Sequence, residues 1–224
     1  MKIIEPTEAT SPKSLRAISI RERYTKAASS NSCLSCGGAL EQSKPQTGET
    51  FVDLGSGRGL DVLKAARLVG ESGKAIGIDM TEAMLAMGRE NANKLMLTNA
   101  TFIESSIDNL PIDDTSVDVL ISNCTINHAD NKSKVYSEIY RVLKTGGRFI
   151  VSDIIAVDEL PIHVKNDPQA VADCYGGAIT ETEYFESIAS AGFQEIEILE
   201  KSLPYPKGKD EVVVRSLTIR GYKK

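Results

Sequence analysis

Phe51-Val-Asp-Leu-Gly-Ser-Gly-Arg-Gly59 is the stretch on which the fold turns. It opens with a short apolar run broken by one acid, Asp53. It closes with glycines at alternate positions, Gly55, Gly57 and Gly59. An amphipathic stretch, 60–69, follows, so the order reads as strand, tight turn, helix. Glycine adopts positive φ without steric penalty and lets the backbone approach a ligand closely. The helix start adds free N–H groups and the positive end of a dipole. The turn is therefore a seat for a ligand with polar or anionic groups.

Outward from the turn, residues 74–78 read as a second strand that ends in Asp79, 26 residues beyond Asp53. An acid in that place suits hydrogen bonds to ribose hydroxyls. Asp79 also reads as a cap for the helix expected at 82–95, a role that Thr81 fits as well. The turn is G-x-G-x-G, not G-x-G-x-x-G, and Asp53 stands two residues before the first glycine. A carboxylate there would repel a pyrophosphate and would suit the ammonium group of an amino-acid cofactor. The combination resembles the S-adenosylmethionine-dependent methyltransferases of the Rossmann-like class. That resemblance implies an α/β fold, a mostly parallel seven-stranded sheet with helices on both faces. The remaining strands are expected at 100–103, 116–122, 148–155, 195–203 and 212–222, and further helices at 13–28, 132–143 and 181–190. Residues 29–48 and 204–209 read as loop, and 144–147 as a helix cap and turn.

The chain has 224 residues, room for one domain with a sizeable core. A net charge of −5 argues against nucleic acid as a partner. No apolar run approaches the length of a membrane-spanning helix, and the N-terminus lacks the apolar core of a signal peptide. A cytoplasmic location without membrane attachment is the expectation, and there thiols stay reduced. The four cysteines, Cys33, Cys36, Cys124 and Cys174, then read as metal-binding or catalytic and not as disulfides. Two regions are expected. Residues 1–48 form an N-terminal helix and a mobile cysteine-bearing lid. Residues 49–224 form the methyltransferase domain, with an insertion at about 157–180 that carries Cys174.

The Cys33-Leu-Ser-Cys36 pair has several readings on its own: a redox motif, half of a zinc site, surface thiols, or a soft-element site on a loop that closes over a substrate. Cys124 ends the fourth strand, at the sheet edge where α/β proteins bind ligands. It reads either as a small buried hydrophobe or as a thiolate holding a soft Lewis acid.

Taken together, Asp53-Leu-Gly-Ser-Gly-Arg-Gly59, Gly77-Ile-Asp-Met-Thr81, Val117-Asp-Val-Leu-Ile-Ser-Asn-Cys124, Tyr140-Arg-Val-Leu-Lys144 and Cys174-Tyr-Gly-Gly-Ala178 resemble the arsenite S-adenosylmethionine methyltransferase family. The resemblance implies transfer of a methyl group from S-adenosylmethionine to thiolate-bound trivalent arsenic. It implies that Cys124 and Cys174, with Cys33 or Cys36, are the arsenic(III) ligands, and that no other metal is held. For the cofactor it implies Asp53, Gly55, Ser56, Gly57, Gly59, Asp79, Met80, Ile107, Asp108 and Asn123. Asp108 would reach the adenine amine, although it also reads as a turn-forming residue. The acceptor would be a small molecule, an arsenite–thiol adduct, with glutathione or another thiol reductant as co-substrate and a protein reductant such as thioredoxin as a compatible partner.

Three departures from the family stand out. Its members often carry a further C-terminal domain, whereas this sequence ends at Lys224, so a short form is expected. Thr145 stands where proline is common. His128 stands where an apolar or small residue is more usual, and reads as a loop histidine or as an aid to thiol deprotonation. Two other readings of the chain are a carbon or oxygen methyltransferase with incidental cysteines, and a non-catalytic metalloid or zinc binder.

Overall fold

The structure, a computed structural model, describes residues 12–28 and 37–224. In chain order the elements are α1 (Pro12–Ala28), α2 (Ala39–Ser43), β1 (Thr50–Leu54), α3 (Leu60–Val69), β2 (Lys74–Asp79), α4 (Glu82–Lys94), β3 (Ala100–Glu104) and β4 (Val117–Asn123). A 3-10 turn (Ile126–His128) follows. Then come α5 (Lys132–Val142), β5 (Leu143–Ala156), α6 (Ile162–Lys165), α7 (Pro168–Ala172), α8 (Glu181–Ala189), β6 (Ile196–Lys201), β7 (Tyr205–Lys207) and β8 (Val212–Tyr222).

The strands form one sheet in the order β3-β2-β1-β4-β5-β8-β6. β1 to β5 are parallel, while β8 runs antiparallel to both β5 and β6. The strand order reverses between β1 and β4. Such a switch point opens a crevice beyond the carboxyl ends of the two strands.

Strand alternation sorts the core into two layers. Val52 and Leu54 pack with Tyr136, Ile139, Tyr184 and Ile188 under α5 and α8. Phe51 turns to the other face, with Leu40, Val62, Ala66, Leu85 and Ile121 under α2, α3 and α4. Asp53 shares the face of Phe51 but lies one step closer to the crevice. The parallel strands are apolar on both faces because helices cover both.

Three expectations are corrected. The seven expected strands form the main path of the sheet, but an eighth, β7, pairs with β8 at Tyr205–Lys207. Pro206 tolerates that place because β7 is a short edge strand. Residues 39–43 are helix, not loop, because Ala39 and Leu40 bury against the sheet. Residues 144–147 do not form a separate turn, because β5 begins at Leu143. Between the Val117–Leu143 and Val119–Arg148 pairs the register advances two residues on β4 and five on β5, so this stretch bulges. The segment at 157–180 carries α6 and α7, and α1 packs on α7. Among the described residues no helix is long and apolar enough to cross a membrane.

Arg148 ties α2 to the sheet. Its guanidinium donates to both carboxylate oxygens of Glu49, at 2.7 and 3.0 Å, and to the carbonyls of Ser43 and Lys44. Arg148→Met strands a half-buried carboxylate and two carbonyls. A loss of about 2 kcal/mol is expected, which thermal denaturation would read as a Tm drop of roughly 4–8 °C in a chain of this size.

Candidate active site

The crevice at the switch point holds a cavity of about 1290 Å³. Its floor is the glycine turn. Gly55, Gly57 and Gly59 all have positive φ, 73°, 51° and 75°. The three do different work. A Cβ at Gly55 would strike Thr125, and one at Gly59 would strike the Phe102 ring. A Cβ at Gly57 would stand in open space above the turn. Gly57 is thus the point of ligand approach. Gly59 does not line the cavity and serves packing at the start of α3.

Asp79 holds the turn from the end of β2. One carboxylate oxygen accepts the Gly57 N–H and the other the Thr81 N–H, both at 2.9 Å. Burial pushes its carboxyl up, opposed by those N–H groups. Asp53 is more extreme. It is 4% exposed, and no described residue donates a hydrogen bond to it. Burial and the nearby acids Asp61 and Asp79 push its carboxyl well above the usual range. Among the described residues, the Ser56 hydroxyl is buried without a hydrogen-bond partner. A buried, unpaired carboxylate costs stability unless a cation completes it. This donor set fits a ligand with an ammonium group at Asp53 and hydroxyls at Asp79. Asp61 has its own ties, donated by Lys64 at 3.5 Å and Asn123 at 3.4 Å.

The two described cysteines also line the cavity. Cys124 follows β4 and its N–H donates to the Ser152 carbonyl at 2.8 Å. Cys174 follows α7, its N–H on the Val171 carbonyl. Both are reduced, buried and left-handed, with φ of 55° and 69°. Non-glycine residues adopt this conformation only where the surroundings impose it. The Cys174 sulfur lies 3.4 Å from Nε2 of His128 and 3.7 Å from the hydroxyl of Tyr24. Tyr24 meets the His128 ring edge-on at 5.6 Å. Burial and Cys174 push the Tyr24 phenol up, so it stays a neutral donor. His128 is therefore no mere loop histidine.

Met80, Ile107, Asp108 and Asn123 also line the cavity. Asp108 is engaged from within the protein, accepting from Ser106 and from Lys134 at 3.2 Å, and those contacts hold its carboxyl down. Cys33 and Cys36 lie outside the described residues. Their neighbour Gly37 packs against the side chains of Asn123 and Ser152. Sequence reasoning missed Tyr24, Asp61 and Thr125. Tyr24 reads as part of the apolar stripe of α1, and Asp61 as an ordinary first-turn acid.

Residues 45–192 match the family described as methyltransferase domain. The arsenite methyltransferase of Halobacterium salinarum is 40% identical over 168 residues, covering 75% of this chain and 43% of that protein. The human arsenite methyltransferase is 36% identical over 152 residues, covering 64% of this chain and 40% of that protein. The chain thus spans less than half the length of these relatives. Among solved structures, the arsenic(III) S-adenosylmethionine methyltransferase of Chlamydomonas reinhardtii superposes with a TM-score of 0.73 at 29% identity, covering 93% of this chain and 73% of that one.

Two outcomes follow from the acids and the glycines. The folded protein holds the Asp53 proton to a higher pH than the unfolded chain does. Over that interval the folded state binds more protons, so stability falls as pH rises. The Tm of the ligand-free protein is expected to fall as pH rises above the ordinary carboxylate range, and Asp53→Asn to flatten that slope. An unchanged slope in the variant would contradict this. Separately, Gly59→Ala is expected to cost about 1–3 kcal/mol through the Phe102 collision, read by denaturant titration. Gly57→Ala should cost less stability but more ligand affinity.

Proposed function

The chain belongs to the methyltransferase-domain family, and on that premise we propose that it methylates trivalent arsenic with S-adenosylmethionine as donor. The observation that carries this reading is the meeting of two chemistries in the lining of one cavity. The buried acids of the glycine turn and the two buried, reduced cysteines share that lining. The names of the relatives point the same way.

Asp53 would take the donor's ammonium group and Asp79 its ribose hydroxyls, with Met80, Ile107 and Asn123 along the rest of the molecule. Bound there, S-adenosylmethionine supplies a methyl group on a cationic sulfur. Cys124 and Cys174 would capture arsenic(III) as thiolates, since soft ligands select soft elements. Cys33 or Cys36 would be the third. Each thiol must give up its proton for capture. His128 Nε2 is placed to accept that of Cys174, and Tyr24 to donate to the resulting thiolate. Thiolate ligation leaves the arsenic lone pair as nucleophile, so the methyl step itself requires no base. The remaining contribution of the chain is alignment, which in well-ordered systems supplies roughly 7–11 kcal/mol.

Residues 1–48 would act as the lid and 49–224 as the methyltransferase body. Arsenic would arrive as a thiol adduct, with glutathione or a similar thiol, or a protein reductant such as thioredoxin, returning it to the trivalent state. The setting would be the cytoplasm.

The test is direct. Protein, arsenite, labelled S-adenosylmethionine and glutathione should yield methylated arsenicals, with turnover falling as pH drops and thiols reprotonate. Cys124→Ser and Cys174→Ser should each lower turnover by at least about a hundredfold while donor affinity changes little. Normal turnover in either serine variant would overturn the thiolate scheme.

A further inference from the structure

Behind the two cysteine turns lies a polar cluster that the chemistry above does not use. Lys132, the first residue of α5, is only 7% exposed. A cation at a helix N-terminus opposes the dipole, and burial adds a desolvation cost. Its Nζ donates to the Gly177 carbonyl at 2.7 Å. Asp153 on β5 is the acid that answers the Lys132 charge. Burial lifts its carboxyl to about 7, while Lys132 and the Tyr184 hydroxyl pull it down. Tyr184 donates to Asp153 at 3.1 Å and in turn accepts from Tyr136 at 2.9 Å. The other Asp153 oxygen is buried and has no hydrogen-bond partner.

The position of this cluster gives it meaning. Gly177 lies three residues after Cys174, and Asn127 three residues after Cys124. The Asn127 carbonyl fills the space where a Cβ on Gly177 would stand. Asn127 itself is fully buried and donates to the Ile154 carbonyl at 2.7 Å. The turn of one cysteine is thus stacked on the turn of the other through a backbone contact that only glycine permits. Lys132 holds the Gly177 carbonyl beside that contact, and Asp153 on β5 feels the Lys132 charge.

We infer that Lys132 and Asp153 are a positioning pair that sets the Cys174 turn against the Cys124 turn and so fixes the spacing at which the two thiols meet arsenic(III). The inference rests on the arsenic reading above. Neither residue lines the cavity, so the pair acts through the turns and not on the donor.

The test uses the full chain and three readouts: affinity for inorganic arsenite, affinity for S-adenosylmethionine, and Tm. Lys132→Met should weaken arsenite binding by about tenfold or more, leave donor affinity within about twofold, and lower Tm because Asp153 is left uncompensated. The double variant Lys132→Met with Asp153→Asn removes both charges and keeps an acceptor for Tyr184. It should recover most of the Tm but not the arsenite affinity. Recovery of both together would mean that the pair only stabilises the fold and would overturn the inference. Unchanged arsenite affinity in the double variant would overturn it as well, while leaving the arsenic reading intact. Failure of the unmodified protein to bind arsenite at all would instead sink that reading.

Discussion

An acid is buried near the end of β1 with no described residue to neutralise it. Asp53 lies at the crevice, beside two further acids, and its ionised form is held there at a cost. Apolar alternation along β1 explains how it is held: Phe51 anchors the same face while Val52 and Leu54 fill the other. A proton or a bound cation removes that cost. The Gly57 and Thr81 amides, fixed on Asp79, shape the rest of the seat. Charge is laid out in advance, so binding requires little rearrangement of the protein.

The opposite wall is set by backbone geometry. Cys124 and Cys174 both occupy the left-handed region, where a side chain is placed only because its neighbours demand it. Each sits at a chain reversal, one after β4 and one after α7, and the reversals stack at Gly177 and Asn127. Positive-φ cysteines and the buried acids of the glycine turn thus line a single cavity. Neither wall alone distinguishes arsenic chemistry from other methyl transfer, and the pairing of the two is what favours it.

Much of this was legible in the sequence. The first strand, the glycine turn, Asp53, Asp79 and the last strand all follow from local patterns, because periodicity and glycine punctuation report directly on parallel α/β units. What escaped depended on contacts far apart in the chain. The eighth strand exists only because Tyr205–Lys207 finds the edge of β8. The helix at 39–43 exists because Ala39 and Leu40 find the sheet. Gly59 reads like its fellow glycines until Phe102, 43 residues later, is seen beneath it. The tie between Cys174, His128 and Tyr24 joins positions up to 150 residues apart, beyond any local pattern. Even the acid assigned to adenine proved to be shared with Lys134 and Ser106.

The central claim is that trivalent arsenic is held by sulfur alone on the cysteine wall of the cavity. X-ray absorption at the arsenic edge, on the protein mixed with one equivalent of arsenite and no added thiol, reads the ligand shell directly. The account predicts a first shell of sulfur without oxygen, losing one sulfur in Cys124→Ser and one in Cys174→Ser. A shell dominated by oxygen, or one that neither substitution alters, would contradict it.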